Sequence, residues 1–223
     1  MLLRIEQKDI DYFRKKILKW GKNNYDSFPW RETENKWHAL VAEIMLQRTR
    51  AEQVLPVYSN FTEKYMTPGD FLQSSNVNIF NKLGLLWRFE KIKLLAEILC
   101  DKTIPSEKRE LLKLPGIGDY IASAYRSLHL CTRELIIDSN VVRIYGRFFG
   151  FPTTPETRRN KFIKDLADKV TPLSNFKDFN YALIDYTRKI CKLIPGCRMC
   201  VIKKRCKSFE ILKYKRKRQT CLK

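Results

Sequence analysis

"LPGIGDYIASAY", residues 114–125, sets a proline and two glycines in a tight corner between two stretches of helical periodicity. Ahead of the corner, "PSEKRELLKL" (105–114) reads as a short helix, with Pro105 before Ser106 as its cap and Glu107 in its first turn. Behind it, Asp119 to Leu130 reads as a second helix. Gly116 and Gly118 open backbone angles closed to other residues, so the chain can reverse and present consecutive N–H groups at a helix N-terminus. Backbone donors together with a helix dipole suit a phosphate. A glycine turn that only joins two packed helices satisfies the same letters, so the decision lies outside the corner.

Helical spacing extends along nearly the whole chain. Ile10, Phe13, Ile17, Leu18 and Trp20 form one apolar stripe, and Leu40, Val41, Ile44 and Met45 form another. Breaks with turn chemistry, such as "SFPWRETENK" (27–36) and "MTPGD" (66–70), separate such segments, and no alternating strand pattern stands out. The fold class is therefore all-α, with about ten helices. A chain of 223 residues holds one domain, or two small ones sharing a cleft, and no repeat or low-complexity linker marks a boundary.

Hydrophobic residues make up 44% and aromatics 12%, which excludes a solvating disordered chain. The 44 Lys and Arg against 24 Asp and Glu leave a formal charge of +20, and a polyanion is the natural partner for such a surface. A surface meeting roughly 6 to 10 phosphates gains affinity by counterion release and loses it steeply with salt. No basic amphipathic helix with a lipid-like face appears, no run approaches the roughly 18 apolar residues of a membrane span, and "MLLRIEQKDIDYF" lacks the apolar core of a signal peptide. An intracellular protein is expected, with its cysteines as thiols or metal ligands. From Val201 onward ten basic residues face one acid, ending "KYKRKRQTCLK". That tail reads as a non-specific attraction for nucleic acid or as a solvated terminus.

"CKLIPGCRMCVIKKRC" places Cys191, Cys197, Cys200 and Cys206 in a C-x5-C-x2-C-x5-C spacing. Four thiols this close in a reducing compartment ask for a metal, and tetrahedral zinc or a 4Fe–4S cluster would satisfy them. Lys192, Arg198, Lys203, Lys204 and Arg205 would then ride on a pinned basic loop. Cys100 and Cys131 fall in helical patterns and read as core fillers, while Cys221 lies in the tail.

About one helix beyond the corner comes "IIDSNVVRIYGRFFG" (136–150), where Asp138 before Ser139 and Asn140 reads as the N-cap of the next helix. The order L-P-G-I-G, helix, Asp with Asn two residues on, then four cysteines resembles the helix-hairpin-helix (HhH-GPD) DNA glycosylases of the endonuclease III and MutY superfamily. The likeness runs from "FPWRET" to Cys206, through "AEIMLQRTRAEQV" (42–54) and "KDFNYALIDYTRKIC" (177–191). These segments resemble MutY adenine glycosylases and the archaeal thymine-DNA mismatch glycosylases.

The resemblance implies two helical subdomains flanking a DNA-binding cleft. One is a six-helix domain over residues 24–134 containing the hairpin at 114–118; the other joins residues 1–23 to 135–223 and carries the cysteine loop, 191–206. It implies that the hairpin, with Leu114, Gly116 and Gly118, grips DNA phosphates through its backbone, that Asp138 is the catalytic aspartate, and that Asn140 orients it or contacts the sugar. It assigns Cys191, Cys197, Cys200 and Cys206 to a 4Fe–4S cluster rather than zinc. Here five residues separate the first two cysteines, where the family has six, so the loop "KLIPG" is shorter. Glu43 occupies the position of the MutY catalytic glutamate; an ordinary helix-surface acid is the plainer reading. Tyr120 stands where endonuclease III carries its nucleophilic lysine, and a phenol forms no Schiff base. Gln47, Arg48 and Thr49 sit where relatives fill the gap left by a flipped base, and Leu86 is a candidate wedge.

The expected activity is therefore monofunctional base excision from double-stranded DNA carrying a mismatched or damaged base. Thymine or uracil opposite guanine is the leading substrate, given Arg48 and a chain that ends soon after its cysteines. MutY-type adenine excision opposite 8-oxoguanine or guanine is the alternative, and a non-catalytic DNA-binding module is the alternative of another class. The resemblance points to a monomer in the cytoplasm or nucleoid of a prokaryote. A zinc nucleobase deaminase is excluded, because neither His38 nor His129 is followed by the x-Glu that such a site needs.

Overall fold

The computed structural model of the chain describes residues 5–74 and 86–211. Among these residues the regular structure is ten α-helices, a further helical stretch over 207–211 and three 3-10 turns, with no strand. In chain order the helices are α1 (Gln7–Lys22), α2 (Lys36–Met45), α3 (Ala51–Lys64), α4 (Pro68–Ser74), α5 (Leu86–Leu99), α6 (Lys108–Leu111), α7 (Asp119–Leu128), α8 (Ser139–Phe149), α9 (Lys161–Val170) and α10 (Phe176–Lys189). The chain divides into two compact units: Ser27–Glu134, and Met1–Asp26 with Leu135–Lys223. No described helix is long and apolar enough to cross a membrane.

The Ser27–Glu134 unit is organised around α2. Asn35 opens this helix by accepting from the amides of Trp37 (2.9 Å) and His38 (3.1 Å), which satisfies two of the amides that helix geometry leaves orphaned. Every residue from Trp37 to Met45 is buried, so α2 has no solvent face; it packs against α3, α5 and α7. Around its N-terminal end Trp37, Phe61, Tyr65 and Phe71 pack ring against ring, with Phe61 and Tyr65 centroids 5.1 Å apart and Tyr65 and Phe71 5.0 Å apart. A central helix buried on every side is a rigid base for the two polar side chains buried with it, His38 and Glu43.

In the second unit α1 lies along α10 and also touches α9. Its stripe is buried at Ile10, Phe13, Ile17 and Trp20, while Leu18 is only partly covered. Gly21 lets the two helices approach, because a Cβ there would meet the Cβ of Ala182 at 2.5 Å. Phe13 then packs 4.9 Å from Phe148, whose ring lies 4.8 Å from Phe149, so α8 is anchored through its C-terminal half. That anchoring fixes where the N-terminus of α8 begins.

The expectation that Cys100 and Cys131 fill the core is overturned: both are exposed. Cys100 falls one residue past the end of α5, and Cys131 falls beyond α7 at φ +52°, where the chain has left the helix. Periodicity extrapolated past a helix end assigns the wrong face.

Candidate active site

The hairpin at 114–118 is built from the core outward. Leu111, Leu114 and Ile117 are buried, the Leu114 amide bonds the Leu111 carbonyl (3.1 Å) and the Ile117 amide bonds the Leu114 carbonyl (3.2 Å). The side chain, amide and carbonyl of Leu114 are thus all engaged within the hairpin. The helices on either side are tied by charge. Lys108 Nζ reaches Ser123 Oγ (2.7 Å), Asp119 (3.0 Å) and Glu134 (3.2 Å), and Arg126 bonds Glu134 (2.8 Å) and the carbonyl of Ser106. Ser106 is not the cap expected of it: α6 starts at Lys108 with Glu107 at the cap position, and the Ser106 carbonyl accepts from Arg126.

The two glycines differ. Gly116 has φ +80°, the left-handed region that favours glycine, and a Cβ there would meet Lys91 Cδ at 3.0 Å. Gly118 has φ −95° and ψ 177°, an extended backbone open to any residue, and a Cβ there would meet nothing within 4 Å. Only Gly116 uses glycine's special angles; the corner needs nothing of the kind at Gly118, which sits exposed as the N-cap of α7. Tyr120, in the first turn, is half-buried and packs on the core of its unit. The helix ends at Leu128, two residues short of Leu130, with His129 as C-cap.

Glu43 is not a surface acid. It is 4% exposed, and its Oε1 lies 2.9 Å from His129 Nε2. The residues after α2 turn sharply: Arg48 is exposed at φ +54°, Gln47 is half-buried, and Thr49 Oγ1 accepts from Arg88 Nη1 at 2.9 Å. Arg88 is 0% exposed, its Nε and Nη2 have no hydrogen-bond partner among the described residues, and burial pulls its pKa down to about 10. Leu86 opens α5, but its side chain lies outside the described residues.

The other unit carries Asp138 as the N-cap of α8, as its neighbours Ser139 and Asn140 imply. Oδ1 accepts from the Val141 amide and Oδ2 from Asn140 Nδ2, both at 2.7 Å. Asn140 is fixed in turn, because its Oδ1 accepts from Arg143 Nη1 at 2.7 Å. Arg143 then spans to the cysteine loop, donating to the Cys191 carbonyl through Nε (3.1 Å) and Nη2 (2.9 Å) and to the Thr187 carbonyl (3.3 Å). A carboxylate gripped on both oxygens has little rotational freedom. Sequence reasoning missed Arg143, although its place three residues after Asn140, one helical turn on, was a legible signal. It also missed His129, for which nothing local to Glu43 gives a sign.

Cys191, Cys197, Cys200 and Cys206 line one cavity of about 370 Å³, together with Ile144 and Phe148 of α8. Tyr186 donates its hydroxyl to Cys200 Sγ (3.1 Å), Arg147 Nη1 approaches Cys191 Sγ (3.6 Å), and the Cys206 thiol donates to the Arg147 carbonyl (3.4 Å). Burial pushes the Cys191 thiol up and Cys206 to about 11. Among the described residues no three His, Cys, Asp or Glu side chains are drawn close enough to hold a metal ion.

A family model described as HhH-GPD superfamily base excision DNA repair protein matches residues 41–169, a span that includes Glu43, the hairpin and Asp138. A thymine/uracil-DNA glycosylase from Methanothermobacter thermautotrophicus is 31% identical over 202 residues, covering 87% of this chain and 91% of its own. An adenine DNA glycosylase from Buchnera aphidicola subsp. Baizongia pistaciae is 32% identical over 209 residues, 88% of this chain but 58% of the relative. The solved structure of a thermostable thymine-DNA glycosylase superposes with a TM-score of 0.83 at 30% identity, over 91% of this chain and 97% of that one. With a family model spanning the hairpin and the capped aspartate, and full-length similarity in both sequence and fold, the chain belongs to the HhH-GPD superfamily of base excision DNA repair proteins.

Proposed function

We propose that this protein is a monofunctional DNA glycosylase that extrudes a mispaired thymine or uracil opposite guanine and hydrolyses its N-glycosidic bond. The observation that carries the reading is Asp138, a carboxylate fixed at both oxygens at the start of α8. A base inside a stacked duplex is unreachable, so it must first be flipped out. As it leaves, positive charge develops on the sugar, and a fixed carboxylate favours that state over the neutral ground state. A carboxylate about 4 Å from a unit charge, at an effective dielectric near 20, gains roughly 4 kcal/mol, on the order of 10³-fold in rate.

Glu43 serves as the acid that protonates the departing base, and its burial against His129 supports a role beyond solvation. The hairpin amides hold the duplex backbone, Gln47, Arg48 and Thr49 meet the opposite strand, and the charge of +20 draws the chain to DNA, where it acts inside the cell as a monomer. Tyr120 offers no amine, so the strand is left uncut by any lysine-dependent step at that position.

The cysteine loop fits an iron–sulfur group by donor chemistry: four thiols share one cavity of about 370 Å³, roomier than a lone zinc ion requires. Cys191, Cys197, Cys200 and Cys206 would hold a 4Fe–4S cluster, which when bound joins four thiolates at one point and makes the basic loop rigid. Metal is also what would bring thiols raised by burial to the thiolate form.

Adenine excision opposite 8-oxoguanine or guanine is the second reading, supported by the 32% identity to an adenine DNA glycosylase over nearly the same span. The test is incubation with duplexes carrying G:T, G:U, A:8-oxoguanine and A:G, followed by alkali to cut abasic sites. Cleavage at G:T and G:U is expected; cleavage confined to the adenine duplexes selects the second reading, and cleavage at none overturns the enzyme. Asp138→Asn keeps a good N-cap, so it is expected to bind duplex while losing about 10³-fold in rate.

A further inference from the structure

Glu43 is a carboxylate in an environment that ordinarily excludes one. Its neighbours on α2, Leu40, Ala42, Ile44 and Met45, are all 0% exposed, and Glu43 itself is 4% exposed. Burying such a group is costly unless it is answered by a hydrogen bond. Among the described residues the answering group is His129, with Nε2 2.9 Å from Oε1. The two residues are 86 apart in the chain.

His129 is itself well placed to hold still. It caps the C-terminal end of α7, where its amide bonds the Tyr125 carbonyl at 3.0 Å. Its ring lies 6.0 Å from that of Tyr125, whose buried hydroxyl has no hydrogen-bond partner among the described residues and so makes no bond to the imidazole. The contact spends only one of the two oxygens of Glu43, since His129 takes Oε1.

We infer that His129 is a positioning residue for excision: its Nε2–H holds Glu43 through Oε1 and keeps Oε2 as the face that acts on the departing base. The inference rests on the acid role of Glu43 proposed above. In the step it supports, Glu43 carries its proton on Oε2 and passes it to a nitrogen or carbonyl oxygen of the leaving base. The glycosidic bond breaks with its electron pair staying on the base, and the sugar takes the positive charge. The carboxylate left on Glu43 meets an N–H already in place at Oε1. A donor to a charged group in a water-excluded site strengthens as the charge forms, so the contact acts more on the transition state than on the bound substrate. Only a donor at the right reach is needed; the imidazole need not change its protonation.

The test uses the full chain and a G:U duplex, comparing single-turnover excision rate, duplex affinity and melting temperature. His129→Leu has similar bulk and no donor; it is expected to slow excision about 10- to 100-fold, the worth of one charge-assisted hydrogen bond, while duplex affinity stays within about twofold. His129→Gln puts an amide N–H at the same reach and is expected to restore most of the rate, whereas His129→Asn falls short and is expected to behave like Leu. In a Glu43→Gln background, His129→Leu is expected to add nothing. Wild-type rate in His129→Leu, equal rates for the Gln and Asn variants, or a full additional loss in the Glu43→Gln background each overturns the positioning role. Glu43→Gln alone reads the underlying assumption: if it excises at the wild-type rate, the acid role of Glu43 fails and the inference falls with it, whereas a slow Glu43→Gln beside a fast His129→Leu refutes only the inference.

Discussion

Gly118→Ala separates what the hairpin needs in order to fold from what it needs in order to hold DNA. The backbone at Gly118, φ −95° and ψ 177°, accepts alanine, and the added methyl meets no protein atom within 4 Å. At an N-cap alanine is poorer than glycine by about 0.5–1 kcal/mol, and the alanine recovers about 0.4–1 kcal/mol by restricting the unfolded chain. Stability should therefore move by less than about 0.5 kcal/mol, which in a chain of this size is a melting shift under about 2 °C. Gly116→Ala is the contrast: at φ +80° the strain is about 1–2 kcal/mol, with the Lys91 side chain also obliged to move, so melting falls by roughly 2 to 8 °C. If a phosphate lies against the open side of Gly118, its methyl displaces the oxygen from one or two amides. Each charge-assisted bond lost is worth about 1.5–3 kcal/mol, so duplex affinity should weaken about 10- to 100-fold or more. Fluorescence anisotropy of a labelled duplex across a salt series reads this directly. The slope of log affinity against log salt should not change, because no cation has been removed. Affinity within twofold of wild type at every salt concentration would refute the proposed phosphate seat.

Tyr120→Lys places an amine where the reading above finds none, and borohydride is expected to trap a covalent protein–DNA adduct that wild type does not give. Arg88→Met removes a buried guanidinium with two unpartnered nitrogens, each costing about 1–3 kcal/mol. The urea midpoint is therefore expected to hold or rise while excision slows, because Thr49 loses its donor; a stability loss above about 2 kcal/mol would contradict this. Burial holds His38 neutral by pulling its pKa below the ordinary value, and its Nε2 donates to the Tyr65 carbonyl at 2.9 Å. The unfolded chain protonates first, near pH 6.5, so the His38 contribution is complete above that pH and is lost below it. Urea midpoints measured from pH 8 to pH 5 should show that fall, and His38→Gln, which keeps a donor and cannot titrate, should flatten it.

Legibility in the sequence followed the range of the interactions. The all-helical class and the buried stripes of α1 and α2 came from spacing within one element, and spacing is a local property. Asp138 was readable as a cap because a cap is decided by two or three neighbouring residues, here the Val141 amide and Asn140. Ser106 had the right chemistry for a cap, yet the helix starts at Lys108 and Glu107 holds the position. Cys100 and Cys131 show a related limit: both stand just past helix ends, where periodicity no longer says which side is covered. The two glycines of the corner look alike as letters, yet only Gly116 carries a positive φ. Glu43 could be placed on a helix from its spacing, but its burial and its partner 86 residues away belong to the packing of α2 against α7.

The two carboxylates assigned to the chemistry are held by opposite devices, and that difference bears on how each responds to damage. Asp138 is set by its own helix start and then braced by Asn140 and Arg143, the latter spending two donors on the Cys191 carbonyl. Its first support is local and survives any change that leaves α8 intact; its second is only as firm as the backbone of the cysteine loop. Disorder in that loop would release Arg143 and then Asn140, and leave Asp138 held by one oxygen at the Val141 amide. Glu43 has no local support, because a buried helix interior offers a carboxylate no spare amide. Among the described residues its hydrogen bond comes from one side chain, His129 at the end of α7, so any slip of α7 along α2 would move it. The hairpin opens α7 at Gly118 and His129 closes it, the two ends of one ten-residue helix. In the proposed function a grip on DNA at one end of α7 and the orientation of Glu43 at the other are thus properties of the same element, and the tight corner that begins it would serve the chemistry as well as the binding.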